Sequence, residues 1–431
     1  MQIELRCGRG SVPVSLPDDA DVTVIRKPPM PVISSPPDAV AAAFAQPVES
    51  PPLRELARGA NSACIAVCDI TRPVPNHLFL RPLIETLIAG GISPDRIQVL
   101  IATGLHRPNE GDELKELIGD PWVLENVSVV NHFARDDAQH VHLGNTRTRG
   151  TVVRLDRRFV EADLRIATGL VEPHFMAGYS GGRKVIAPGL AHAETITTFH
   201  SARFMADPAA TSCNFAGNPL HEEQLEIVRL LGGALAVNTV IDEFRRLSFV
   251  NFGEVIASHQ AAVSYVRKYC EVPVGRRFHT VITSAAGYPL DRTYYQTVKG
   301  MVTAIDILEP GGSLIIVSDC SEGMGSAEFT NAQKRLRALG PQAFLNSLLL
   351  KSHAEIDEWQ TQMQLRTQAI GNVFLHSHGL SADEFELTGV QRAESLDSTI
   401  RHCMEQGADN AVAVIPEGPY VVPFCDHVPE C

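Results

Sequence analysis

Between positions 169 and 200 the chain reads GLVEPHFMAGYSGGRKVIAPGLAHAETITTFH, which gathers three histidines, one lysine and two glutamates into 32 residues. Core packing does not call for such a density of reactive side chains. Imidazole moves protons at neutral pH and is also the commonest ligand for nickel, zinc and copper, so His174 and His200 are candidates for either task. Lys184 closes the run Gly178-Tyr179-Ser180-Gly181-Gly182-Arg183, where an amine beside the backbone amides of Gly181 and Gly182 could form an anion nest. The run is not a Walker A loop. Arg183 stands where that pattern needs glycine, and Val185 follows the lysine where it needs Ser or Thr. A helix from about residue 191 would place His192 and His200 eight positions apart, near enough to two turns to share a face.

Other reactive groups stand where strands are expected to end, and ligands of open α/β sheets bind beyond those ends. Three loops each set a charged or imidazole group beside a proline: Asp69-Ile70-Thr71-Arg72-Pro73, Thr103-Gly104-Leu105-His106-Arg107-Pro108, and Gly169-Leu170-Val171-Glu172-Pro173-His174. If all three point into one crevice, Asp69, Arg72, His106, Glu172 and His174 meet there. Further along, Tyr294-Tyr295-Gln296-Thr297-Val298-Lys299-Gly300 opens a helix, and Gln296 and Lys299, three apart, share its face. An amide and an ammonium near a helix N-terminus can grip a carboxylate. No GxGxxG follows an expected strand, which argues against a dinucleotide dehydrogenase.

The elements that must position these groups alternate in kind. Apolar or β-branched runs at 63–69, 97–102, 127–131 and 163–167 read as strands, and 77–89, 109–117, 191–206, 220–231 and 252–269 read as helices. After residue 272 the cycle restarts: strands at 279–284, 313–319 and 372–376, helices at 294–307, 327–339 and 344–368. The expected fold is therefore α/β, two domains with mostly parallel sheets and the site in the cleft between them. The first unit spans 1–272 and the second 273–408, with 409–431 able to complete the first. Residues 1–60, rich in proline, read as an extended surface crossing.

A chain of 431 residues exceeds what one core serves, which agrees with two units. The net charge of -13 and the lack of a basic run with interleaved aromatics exclude nucleic acid as a partner. No apolar run is long enough for a membrane span. Nine scattered cysteines suit reduced thiols in a cytoplasm, and Glu4 and Arg6 interrupt any signal-peptide core.

DITRPVP, ATGLHRP, EPHFMAGYSGGRKVIAPG, TTFHSARF, GNPLH, and GYPLD with YYQTVKG occur in that order, and together they resemble the nickel-pincer lactate racemases and their relatives acting on other α-hydroxyacids. The likeness runs from Asp69 to about residue 326. It implies a pyridinium mononucleotide with two thio-acid arms, tethered to Lys184, with Ni(II) held by the cofactor and by His200. It implies His106 and His174 as paired acid and base, and Arg72, Tyr295, Gln296 and Lys299 around the substrate. Asp69, Gly181 and Gly182 would support the cofactor side of the site. Implied partners are a small α-hydroxyacid and the proteins that build the cofactor and insert nickel. Lactate and malate differ only beyond Cα and both stay open at this point. So do two readings of other classes: a mononuclear zinc hydrolase using His174, His200 and Glu172, and a cofactor-binding protein without catalysis.

Overall fold

The computed structural model describes residues 1–425. Two six-stranded sheets organise it. In the first, the strands Ala63–Cys68, Ile97–Ala102 and Leu164–Leu170 lie side by side and parallel, with Ala63–Cys68 in the middle. Their side chains are buried on both faces, as near-continuous apolar runs require of a covered parallel sheet. Ile65 and Val67 face one core with Phe79, Leu83 and Leu87 of the helix Asn76–Ala89. Cys64 and Ala66 face the other core, with Val185 and Ile186. Ser128–Asn131 continues one side of this sheet, and the antiparallel pair Leu235–Ile241 and Leu247–Glu254 closes the other.

The second sheet is parallel throughout, in the order Gln391–Arg392, Asn372–His376, Leu308–Val317, Phe278–Ser284, Ala411–Ile415, Asp21–Val24. Sheet membership departs from the expected boundary at both ends of the chain. Asp21–Val24 pairs with Ala411–Ile415, and the hairpin of Gln2–Cys7 with Gly10–Ser15 packs Leu5 and Val14 against Ile282, Ile315 and Val412. The first 25 residues thus lie with the second sheet. Ala411–Ile415 also lies in the second sheet, so it does not complete the first, while Val422–Phe424 pairs with Glu271–Pro273 at the junction. Residues 426–431 of the expected completing segment lie outside the described residues. Alternation in one strand reports that a face is buried but not which sheet buries it.

Three other expectations change. The proline-rich stretch contains the helices Pro36–Ala45 and Leu53–Arg58, with proline in the first turn or at the cap, where the missing N–H costs nothing. The expected helix at 344–368 is two, Pro341–Leu349 and Glu358–Gln368. The expected helix at 191–206 is Ala193–Phe199 and Ala202–Met205, broken at His200.

Candidate active site

The three central strands of the first sheet end together, and their loops do meet. A cavity of about 180 Å³ beyond those ends is lined by Asp69, Arg72, His106, His174, Lys184 and His200 from the first unit and by Tyr295, Gln296 and Lys299 from the second. Gly181 also lines it. A larger hollow of about 410 Å³ lies behind Glu172, lined by Tyr288, Glu417 and Tyr420, but the buried titratable groups cluster in the smaller one.

His106 stands at the mouth, its side chain 48% exposed, and its Nδ1 lies 2.6 Å from Asp69 Oδ2. A carboxylate accepts there, so Nδ1 carries the hydrogen and Nε2 keeps a lone pair. Thr71 holds the other Asp69 oxygen, its hydroxyl at 2.5 Å and its amide at 3.2 Å. Burial opposes charge on the His106 ring, but the Asp69 carboxylate outweighs it and raises the pKa above the usual value; Lys299 works the other way. Water reaches half the ring and damps this shift.

His174 is the opposite case. It is buried, and desolvation, with the charges of Lys184, Arg72 and Lys299 added, pushes its pKa well down. Its Nδ1 accepts from the amides of Met176 at 3.3 Å and Ala177 at 3.2 Å, so the neutral ring carries its hydrogen on Nε2. Taking a proton at Nε2 first requires moving that hydrogen to Nδ1, at the cost of two long contacts.

Lys184 sits on the short helix Arg183–Ile186, entered through Gly181 at φ +78 and Gly182 at φ +48. Burial first, then repulsion from Arg72 and Arg183, lowers its pKa to about 7, so a large share of the amine is uncharged at neutral pH. Gly181 is required by close approach, since a Cβ there would stand 2.8 Å from Val171 Cγ2. Gly182 is not among the residues lining the cavity, and a Cβ there would meet the His259 ring at 2.7 Å. Its absence of a side chain serves packing against the helix Val255–Cys270.

His200 follows the last turn of Ala193–Phe199 and donates from Nδ1 to the Ile196 carbonyl at 2.9 Å. That bond fixes the tautomer and leaves Nε2 bare, the arrangement of a metal-ligating imidazole. Burial, then Lys184, lowers its pKa to about 3, so protons do not compete for Nε2 near neutrality. His192 caps the same helix, accepting from the Glu194 amide at 3.1 Å, and lies outside the cavity.

Arg72 gives one guanidinium nitrogen to Glu172 and is held in its charged form by it, burial notwithstanding. Lys299, opposite, is pushed well below the ordinary lysine pKa by burial and by Arg72. Residues the motifs did not single out complete the walls: Cys68, Asp357, Trp359 and Gln360. The Trp359 ring lies 4.8 Å from that of His200, and its Nε1 donates to the Tyr295 hydroxyl at 3.2 Å. Asp357, Trp359 and Gln360 stand at the end of a helix break that periodicity did not register, and a shift from period 3.6 at residues 350–357 is the signal that could have found them.

Titratable groups of displaced pKa, converging in a cleft where three parallel strands end, mark the chain as a two-unit α/β enzyme. Residues 7–213 match the family model described as lactate racemase N-terminal domain, and residues 276–422 match the lactate racemase C-terminal domain. The chain is 30% identical over 425 residues to the lactate racemase of Thermoanaerobacterium thermosaccharolyticum, covering 97% of this chain and 98% of that one. It is 31% identical over 385 residues to that of Lactiplantibacillus plantarum, covering 88% and 89%. The structure of the lactate racemase apoprotein from T. thermosaccharolyticum superposes with a TM-score of 0.90 at 28% identity, covering 98% of this chain and 100% of that chain. A Thermotoga maritima crystal structure shares the fold alone, with a TM-score of 0.66 at 15% identity, covering 86% and 97%. The chain belongs to the lactate racemase family, and it is an isomerase.

Proposed function

We propose that this isomerase racemises a small monocarboxylic α-hydroxyacid of lactate type, using a nickel-pincer nucleotide tethered to Lys184. One observation carries the reading: Arg72, His106, His174, Lys184, His200 and Lys299, scattered over the sequence, line a single cavity. The residues fit the cofactor. Lys184 offers a buried amine of lowered pKa, able to be acylated, and His200 offers a bare Nε2. Among the described residues no three His, Cys, Asp or Glu side chains are grouped to hold a metal ion, so a metal here needs donors that the cofactor brings. The zinc-hydrolase alternative loses support for the same reason, and because Glu172 is engaged with Arg72.

Beside an ionised carboxylate the Cα hydrogen is too weakly acidic for an imidazole to remove as a proton. The bound cofactor would supply a hydride acceptor. Arg72 and Lys299 neutralise the substrate carboxylate, Arg72 through its planar fork. As Cα loses its hydrogen with both electrons, a histidine takes the hydroxyl proton. The flat keto acid then accepts the hydrogen on its other face while a protonated histidine returns a proton to oxygen. One histidine must be neutral and the other charged, with roles exchanged between the enantiomers. Between the lowered pKa of His174 and the raised pKa of His106 the pair holds one proton, which is the state this exchange needs.

The cavity wall also carries the Asp357 carboxyl group, beside Tyr295. A second substrate carboxylate would meet Asp357, which favours lactate over malate. Intact-mass measurement tests the tether: protein made with the cofactor-building and nickel-inserting proteins carries an adduct that Lys184→Ala lacks. An unchanged mass together with stoichiometric zinc would refute the reading.

A further inference from the structure

The segment between Pro341–Leu349 and Glu358–Gln368 belongs to the second unit but reaches across the cleft. The Ala354 amide donates to the Thr197 carbonyl at 2.9 Å, on the helix that leads to His200, and the Trp359 ring packs on His200 itself. Between these crossing points stands Asp357, which lines the cavity with His106. Its φ of +63 is left-handed, a conformation costly for most residues and tolerated best by Asn and Asp. The carboxylate is anchored as well. Ser326 Oγ donates to Oδ2 at 2.6 Å and the Tyr295 hydroxyl bonds it too. Tyr295 is held in turn by Trp359 Nε1 at its hydroxyl and by Gln360 Nε2, at 2.6 Å, at its carbonyl. Neighbours that all fix one carboxylate at a cavity wall point to a task for that group.

We propose that Asp357 is a positioning residue for the acid-base chemistry, acting through His106: from the far wall of the cleft it adds a second carboxylate to that of Asp69. The inference rests on the role of His106 proposed above. Charged groups facing His106 are Asp69 and Asp357, which favour the protonated ring, and Lys299, which opposes it. Burial, with Glu328, raises the Asp357 pKa above the ordinary carboxyl value, while the Ser326 hydroxyl, His106 and the Tyr295 hydroxyl work the other way and favour the carboxylate. Asp69 touches the ring directly, whereas Asp357 acts through space and so contributes the smaller share. Because the two carboxylates come from different units, the second is present only while residues 354–360 span the cleft.

Asp357→Asn is the test, because Asn keeps the shape and is at ease at positive φ, so only charge is removed. The His106 ring is titrated by NMR in histidine-labelled, cofactor-free protein, with Asp69→Asn as reference. The expected result is a fall of roughly half a pH unit for Asp357→Asn and a larger fall for Asp69→Asn. Ser326→Ala, which leaves the charge but frees it, lowers the value by less than Asp357→Asn. In loaded enzyme the alkaline limb of kcat/KM moves down with the NMR value, whereas a merely structural role would lower activity at every pH and leave the limb in place. An unmoved His106 titration in Asp357→Asn, with Asp69→Asn shifted, overturns the proposal. The titration uses cofactor-free protein, so its outcome is independent of whether the enzyme racemises anything.

Discussion

His106 and His174 are the same residue type made unlike by their surroundings. One sits half in water against a carboxylate; the other is buried among cations. The signs follow directly. The one-proton state of the pair exists above the lowered pKa of His174 and disappears as pH rises through the raised pKa of His106. A profile of kcat/KM against pH should therefore be a plateau whose alkaline limb belongs to His106. Asp69→Asn removes the main cause of that shift and is predicted to bring the limb to lower pH, with roughly a 10–100-fold loss above it. A limb that stays in place would mean another group sets it. His106→Ala is predicted to lose about 10²–10⁴ in kcat while intact mass shows cofactor loading unchanged, since in the proposed role the ring moves a proton and does not hold the group.

At the scale of elements, much of the site was legible because the signal was local. The three loops after Cys68, Ala102 and Leu170 were each visible as a strand followed by charge and proline, and adjacency of those strands brings Asp69, His106 and His174 together. Gln296 and Lys299 were legible from helical spacing, and both line the cavity. What stayed hidden was non-local or irregular. The pairing of Asp21–Val24 with Ala411–Ile415 joins segments nearly the whole chain apart, and no pattern within either strand announces it. The break at 350–357 hid Asp357 and Trp359, because a long apolar-polar run reads as one helix until its phase slips. At Gly182 the glycine cluster shows that side chains are excluded but not what excludes them, and the structure sets the His259 ring against that position. Gly182→Ala should accordingly lower Tm, by strain and contact worth about 1–3 kcal/mol, through the His259 ring. Were Gly182 part of a nest, the same variant would keep its Tm and load less cofactor.

Over the whole molecule, the site depends on two sheets held at a fixed separation. Arg366 NH1 donates to the Ala210 carbonyl at 2.8 Å and the Ala354 amide to Thr197, tying the second unit to the first on either side of His200. No helix among the described residues is long and apolar enough to cross a membrane. Buried neutral imidazoles are spread through the first unit: His140 at about 4, and His200 and His259 at about 3, each lowered chiefly by burial. Unfolding lets each of them bind a proton at a pH where the folded ring does not, so stability rises with pH between those values and 6.5. Thermal denaturation should show Tm falling as pH drops below 6.5, as each ring withdraws at most about 1.4 kcal/mol of stability per pH unit. A flat Tm over that range would mean the rings are charged inside the fold. Chiral chromatography of D- or L-lactate incubated with cofactor-loaded protein tests most directly the proposal that this one cavity racemises a lactate-like acid. Either enantiomer is predicted to relax to the equal mixture with the parent and to remain unchanged with His106→Ala/His174→Ala. Untouched lactate with fully loaded parent protein, or equal mixing by the double variant, would contradict it.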